Sequence, residues 1–188
     1  MWSTMRRLRK HIGFLKEIDE VRFKRWLDRN AQEFLTEVGV DNGKAVLDFG
    51  CGSGTYTIPA ARLVGDEGKV YALDVRKKAL DEVEAKAKKD GLKNIVRLET
   101  SGGVGIPLRG ETVDLILLID VLHEIDDREG LFEEAYRVLK PGGALIVYPM
   151  HLAREMERIE KLAAAKGFGL EDRKFQGRIL VFRKPRDV

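Results

Sequence analysis

Cysteine is nearly absent from this chain: Cys51 stands alone among 188 residues. A single thiol cannot close an intramolecular disulfide, which excludes a disulfide-stapled extracellular scaffold and points to a cytoplasmic home. No apolar run is long enough to cross a bilayer, so no membrane contact is expected. The first residues are basic but lack the unbroken apolar stretch of a signal peptide. Repeats, low-complexity segments and a linker to a second domain are missing too. Asparagine and glutamine are sparse beside abundant lysine and glutamate, a balance that thermophilic proteins favour. What remains, 44% hydrophobic and 35% charged, suits one soluble domain with a full core.

Acidic and basic residues nearly cancel, 34 Lys and Arg against 31 Asp and Glu, but the excess is uneven. Arg6, Arg7, Arg9, Lys10, Lys16, Arg22, Lys24, Arg25 and Arg29 crowd the first thirty residues. They form either a solvated helix face or a surface for an anionic partner. Residues 1–40 carry helical periodicity: Met5, Leu8, Ile12 and Leu15, then Phe23, Trp26, Leu27, Phe34, Leu35 and Val38. Asp19 is placed to cap the second of two helices and Gly39 to end it. We divide the chain into this helical segment, 1–40, and a main domain, 41–188.

From Ala45 onward, apolar strands alternate with helical patterns. Ala45–Leu47, Val70–Leu73, Ile95–Leu98, Val113–Ile119 and Ala144–Tyr148 read as buried strands. Helices are expected from Tyr56 to Val64, from about Arg76 to Gly91, after a cap at Asp127, and from Leu152 to Lys166. Lys140-Pro141-Gly142-Gly143 reads as a helix stop followed by a turn. Two closing strands, Leu170–Phe175 and Arg178–Arg183, meet at Gln176-Gly177. Strand–helix alternation implies a doubly wound, mostly parallel sheet with ligands at the carboxyl ends of its strands.

The chemistry gathers at those ends. Asp48 is followed by Gly50, Cys51, Gly52, Ser53 and Gly54, a turn where the main chain bends tightly and a ligand can approach without meeting a Cβ. Asp74 ends the second strand; a carboxylate there can accept from both hydroxyls of a ribose, or simply cap the next helix. Asp120-Val121-Leu122-His123 follows the most apolar strand.

In their order and spacing these blocks, with Leu139-Lys140-Pro141-Gly142-Gly143, resemble the class I S-adenosylmethionine-dependent methyltransferases over roughly residues 44–150. The resemblance implies a Rossmann-like α/β fold of seven strands with a C-terminal antiparallel hairpin and N-terminal helices. It also implies S-adenosylmethionine as cofactor. Asp48, Gly50, Cys51, Gly52, Gly54 and Asp120 would then border its methionine part and Asp74 its ribose, with Val75, Ser101 and Gly102 beside the adenine. The family often has an acid where this chain has Gly102, so Ser101 or a backbone carbonyl is left to meet the adenine amino group.

The expected function is methyl transfer to a small-molecule acceptor, with RNA or protein as the alternative. His123 is the candidate base, or else a histidine that packs beside the cofactor; His151, Tyr148 and His11 are weaker candidates. No metal site is expected, because Tyr148-Pro149-Met150 offers no hard oxygen side chain of the needed kind. The absence of an Asn-Pro-Pro-Tyr block argues against methylation of a nucleic-acid base nitrogen, and the lone cysteine argues against arsenic methylation. A non-catalytic S-adenosylmethionine-binding module and a nicotinamide oxidoreductase are the remaining readings, the last lacking a substrate domain. With no insertion between its later strands, the chain has only residues 1–40 to roof the cleft. Phe14, Phe23, Trp26 and Phe34 are the expected lining of such a lid.

Overall fold

The computed structural model describes residues 18–150 and 155–186. The expected pattern over Met5–Leu15, Phe14, His11, His151 and the beginning of the last helix lie outside the described residues. Among those described, no helix is long and apolar enough to cross a membrane.

Strands β1 (Ala45–Phe49), β2 (Lys69–Asp74), β3 (Ile95–Glu99), β4 (Val113–Ile119), β5 (Leu139–Tyr148), β6 (Gly169–Lys174) and β7 (Ile179–Arg183) form one sheet. Its order is β3-β2-β1-β4-β5-β7-β6. The first five strands pair in parallel, and β7 is antiparallel to both β5 and β6. The seven-stranded, mostly parallel sheet with a closing hairpin is therefore present. Strand order reverses between β1 and β4, so the glycine turn after β1 faces the loop after β4, where such folds bind ligands.

The helices are α1 (residues 18–29), α2 (Ala31–Glu37), α3 (Thr57–Val64), α4 (Lys77–Lys89), α5 (Arg128–Val138) and α6 (Met156–Ala165). Central β4 is apolar at almost every position because both of its faces are covered. Leu115, Leu117 and Ile119 pack with Leu27, Phe34, Leu35 and Val38 of α1 and α2 and with Ala60, Ala61 and Val64 of α3. Ile116 and Leu118 pack with Leu131, Phe132 and Ala135 of α5 and Ile159 and Ala163 of α6. Outermost β6, Gly169-Leu-Glu-Asp-Arg-Lys174, is exposed over most of its length. Its charges blunt an edge that would otherwise invite another strand.

Three local expectations change. Lys140–Gly143 is no turn: α5 ends at Val138, and β5 begins at Leu139 with a register shift opposite Val113 and Leu115. Gly142, at φ 76°, carries the irregularity where an L side chain would be strained. Asp19 caps nothing, since it lies inside α1 and pairs with Arg178. The helical segment instead breaks at Asn30, whose N–H and side-chain amide both donate to the Trp26 carbonyl. Finally, Phe34 is fully buried against Tyr56 and Phe175, so it belongs to the core and lines no cleft.

Candidate active site

The glycine turn is bolted to the neighbouring strand. The N–H groups of Gly50 and Cys51 both donate to the Leu73 carbonyl, at 2.8 and 3.0 Å. Gly50 has φ 74° and faces Val121: a Cβ there would sit 2.6 Å from Val121 Cγ2. Only glycine lets the turn after β1 lie this close to the loop after β4. The Cys51 side chain is buried with Ala72, Leu80 and Val83. Burial pushes its thiol above the ordinary range, which makes it a packing residue and no nucleophile.

Two buried acids stand behind the turn. Asp48 accepts from Thr57 Oγ1 at 2.6 Å. Burial pushes its carboxyl up to about 6, the Thr57 bond restrains the shift, and the Asp74 charge adds to it. Asp74 ends β2 with its carboxylate wrapped in donors. Oδ2 accepts from the Gly52 N–H at 2.8 Å; Oδ1 accepts from the Arg76 N–H at 2.9 Å. The Arg76 guanidinium adds Nε to Oδ1 at 3.1 Å and Nη2 to Oδ2 at 3.3 Å. Burial disfavours the Asp74 charge, yet the bonds from Arg76 and Gly52 outweigh it and hold the carboxyl below its usual range. Val75, next in the chain, is an apolar side chain left 54% exposed.

The loop after β3 starts beside Asp74, whose carbonyl accepts from the Thr100 N–H at 3.4 Å. Ser101, Gly102 and Gly103 are exposed, and a Cβ at Gly102 would meet no heavy atom within 4 Å. The far end of this loop is held firmly. Glu134 Oε2 accepts from the Ile106 N–H at 2.9 Å, and Arg137 donates to the Ile106 and Leu108 carbonyls at 2.9 and 2.8 Å.

On the other side of the turn, Asp120 has φ 56°, an uncommon conformation that aspartate tolerates better than most residues. Its N–H donates to the Tyr148 carbonyl at 2.9 Å. His123 lies on the short helical turn Leu122–Glu124, with Nδ1 3.6 Å from Asp120 Oδ1 and Nε2 3.7 Å from Glu124 Oε1. Tyr148 is buried and donates its hydroxyl to Glu20 Oε2 of α1 at 3.0 Å. Burial and the Glu20 charge raise its hydroxyl above the ordinary range, so it is poorly suited to act as a base.

Asp48, Gly50, Cys51, Gly52, Gly54, Asp74 and Val75 thus cluster at the carboxyl ends of β1 and β2. Asp120 and His123 face them from the end of β4, while Ser101 and Gly102 stand at the open rim beside Asp74. Thr57, Arg76, Glu20 and the Glu134–Arg137 pair also shape the site but escape sequence reasoning. Only Arg76, two residues beyond the acid, has any local signal. Among the described residues no group of three or more His, Cys, Asp or Glu could hold a metal ion. A cavity of about 370 Å³ under α4, lined by Leu80, Val83, Leu92 and Ile95, lies toward the amino end of β3 and away from this crevice.

Sheet order, glycine turn and the acid ending β2 define a class I S-adenosylmethionine-dependent methyltransferase. The chain belongs to the family described as the methyltransferase domain, whose model matches residues 47–147. It is 33% identical over 137 residues to a demethylmenaquinone methyltransferase of Geobacillus sp. (strain WCH70), covering 73% of this chain and 57% of that one. It is also 33% identical over 113 residues to the ubiquinone/menaquinone biosynthesis C-methyltransferase of Marinomonas sp. (strain MWYL1), covering 60% and 45% of the two chains. The chain spans about half the length of these curated relatives. A crystal structure of a SAM-dependent methyltransferase from Aquifex aeolicus superposes with a TM-score of 0.71 at 27% identity, covering 87% of this chain and 96% of that one.

Proposed function

We propose that this chain transfers a methyl group from S-adenosylmethionine to a small-molecule acceptor held at the carboxyl ends of β4 and β5. The main support is one bond, from the Gly52 N–H to Asp74 Oδ2 at 2.8 Å, which sets a two-oxygen acceptor beside a turn with glycine at every second position. The donor set suits the cofactor part by part. Asp74 accepts from the ribose hydroxyls, Val75 and the Ser101–Gly102 rim flank the adenine, and Gly50–Gly54 leave room for the methionine chain. Asp48 and Asp120 provide negative charge for its ammonium group.

The bound cofactor supplies an electrophilic methyl on a cationic sulfonium. The residues of this chain then have to align the acceptor, exclude water and, where the acceptor arrives protonated, take its proton. We assign that proton to His123, which stands on the loop after β4 with Asp120 3.6 Å from Nδ1 and Glu124 3.7 Å from Nε2. The acceptor class follows from the relatives, whose names specify quinone-pathway substrates, so a ring of quinol type is the first candidate. RNA, protein and pure cofactor binding are the alternatives.

We assign residues 1–40 a covering role over the acceptor. Within its described part, Phe23 of α1 packs edge-on against Tyr148 at 5.5 Å and tilted against Phe175 at 6.0 Å. The anionic acceptor expected from the basic cluster rests on Arg6–Lys16, outside the described residues. In the described part, Lys24 pairs with Asp28 and Arg178 with Glu20 and Asp19. A cytoplasmic location, from the single cysteine, belongs to the same proposal.

The test is transfer of labelled methyl from S-adenosylmethionine to quinol-type acceptors, RNA and protein, using the whole chain and a shortened form, residues 19–188. Label on the ring compound alone, lost in the shortened form while cofactor affinity is kept, is expected. Label on RNA or protein alone would overturn the acceptor assignment. Equal activity of the shortened form would remove the lid.

A further inference from the structure

A carboxylate has about four lone-pair positions, two on each oxygen. In Asp74 all four are filled, two by the main-chain N–H groups of Gly52 and Arg76 and two by the Arg76 fork. The fork takes one position on each oxygen, the same demand that the two vicinal hydroxyls of a ribose make. The guanidinium also lies against the glycine turn, since a Cβ at Gly52 would stand 3.7 Å from Nη2. Little else anchors this arginine. Its side chain is 67% exposed, and Arg76 opens α4 without making a side-chain cap.

We infer that Arg76 is an internal competitor of the cofactor: its guanidinium occupies the ribose positions on Asp74 and must swing out before the nucleoside can bind. The two backbone donors stay in place during that swing, so Asp74 keeps its geometry and loses only its counter-charge. Glu124, on the loop after β4, adds to the charges that favour the Arg76 cation. Affinity then scales with the fraction of molecules whose Arg76 is already out. The effect on specificity has the same origin: a ligand with both hydroxyls replaces both lost bonds, whereas a ligand lacking one leaves an Asp74 oxygen under-satisfied.

The inference rests on the assignment of Asp74 to the ribose, and binding experiments separate the two. S-adenosylhomocysteine is titrated calorimetrically into the natural chain and into the Arg76→Ala, Arg76→Lys and Asp74→Asn variants. Arg76→Ala is expected to bind about two- to fivefold tighter, the range for releasing one partly exposed ion pair. Arg76→Lys, charged but without a fork, falls between it and the natural chain. The melting temperature of ligand-free Arg76→Ala drops slightly while its ligand-induced rise grows, a pairing that a merely structural role does not produce. Unchanged or weaker binding by Arg76→Ala overturns the competitor role. Full affinity in Asp74→Asn overturns the ribose assignment and the competitor role together.

Discussion

Tyr148 and Glu20, 128 residues apart in sequence, share a 3.0 Å hydrogen bond from the tyrosine hydroxyl to the carboxylate. It joins α1 to the end of β5, and Arg178 of the closing hairpin donates to the other Glu20 oxygen at 3.4 Å. Tyr148→Phe keeps the ring packing with Phe23 and deletes only this bond. Because Glu20 is partly solvated, the expected loss is about 1.5 kcal/mol, the low end for bonds to charged groups. Urea denaturation with an unchanged m-value checks it, and a variant as stable as the parent would show that the bond contributes nothing.

Asp74→Asn should weaken cofactor binding by about 1.5–3 kcal/mol, the range for charge-assisted hydrogen bonds. One amide end can no longer accept, and it meets the donors of Gly52 or Arg76 head-on. Calorimetry on the folded variant gives the value.

Asp48 predicts an unusual pH response. Its folded-state carboxyl titrates at about 6 rather than 3.8, chiefly through burial. Between those values the native protein therefore binds a proton that the unfolded chain does not. This group's contribution to stability is fully present below the unfolded value and declines as pH rises toward 6, opposite to a salt-bridged acid. Asp48→Asn, which can still accept from Thr57, should stabilise the ligand-free protein by about 1–3 kcal/mol at pH 7, with the gain shrinking toward pH 4. Cofactor affinity should fall in the same variant if the acid serves the ammonium group. Melting curves across pH that run parallel for the two proteins would contradict the first statement.

Gly50→Ala places a methyl 2.6 Å from Val121 Cγ2 at a backbone φ of 74°. Strain and overlap together should cost about 2 kcal/mol or more. Val121→Ala in the same chain should recover the overlap and leave the backbone strain, so a double-mutant cycle measures each. Additive losses would mean the two loops do not touch.

Chelator should leave methyl transfer intact, because the described strand ends bring together no set of hard oxygen ligands. Activity that disappears with chelator and returns with magnesium would refute this.

Local chemistry makes much of this protein legible in one dimension. Short, β-branched apolar runs such as Val113–Ile119 fit strands covered on both faces, and alternation with helical periods allows few topologies. The Gly50–Gly54 turn and Asp74 are readable because their constraints act within a few residues. Lys140–Gly143 reads as a turn yet runs within β5 as a bulge opposite β4, because Gly142 and Gly143 exchange backbone hydrogen bonds with Lys184 beyond β7, a partner about 40 residues away. Asp19 misleads in the same way, its pairing with Arg178 being set by the hairpin. Thr57 on Asp48, Glu20 on Tyr148 and the Glu134–Arg137 clamp on the loop after β3 leave no sequence signal, since each joins groups that meet only once the sheet has formed. Sequence determined which strands and turns exist and which acids stand at their ends. Tertiary structure decided what those acids touch, because burial and long-range partners, absent from the unfolded chain, set both their charge and their geometry.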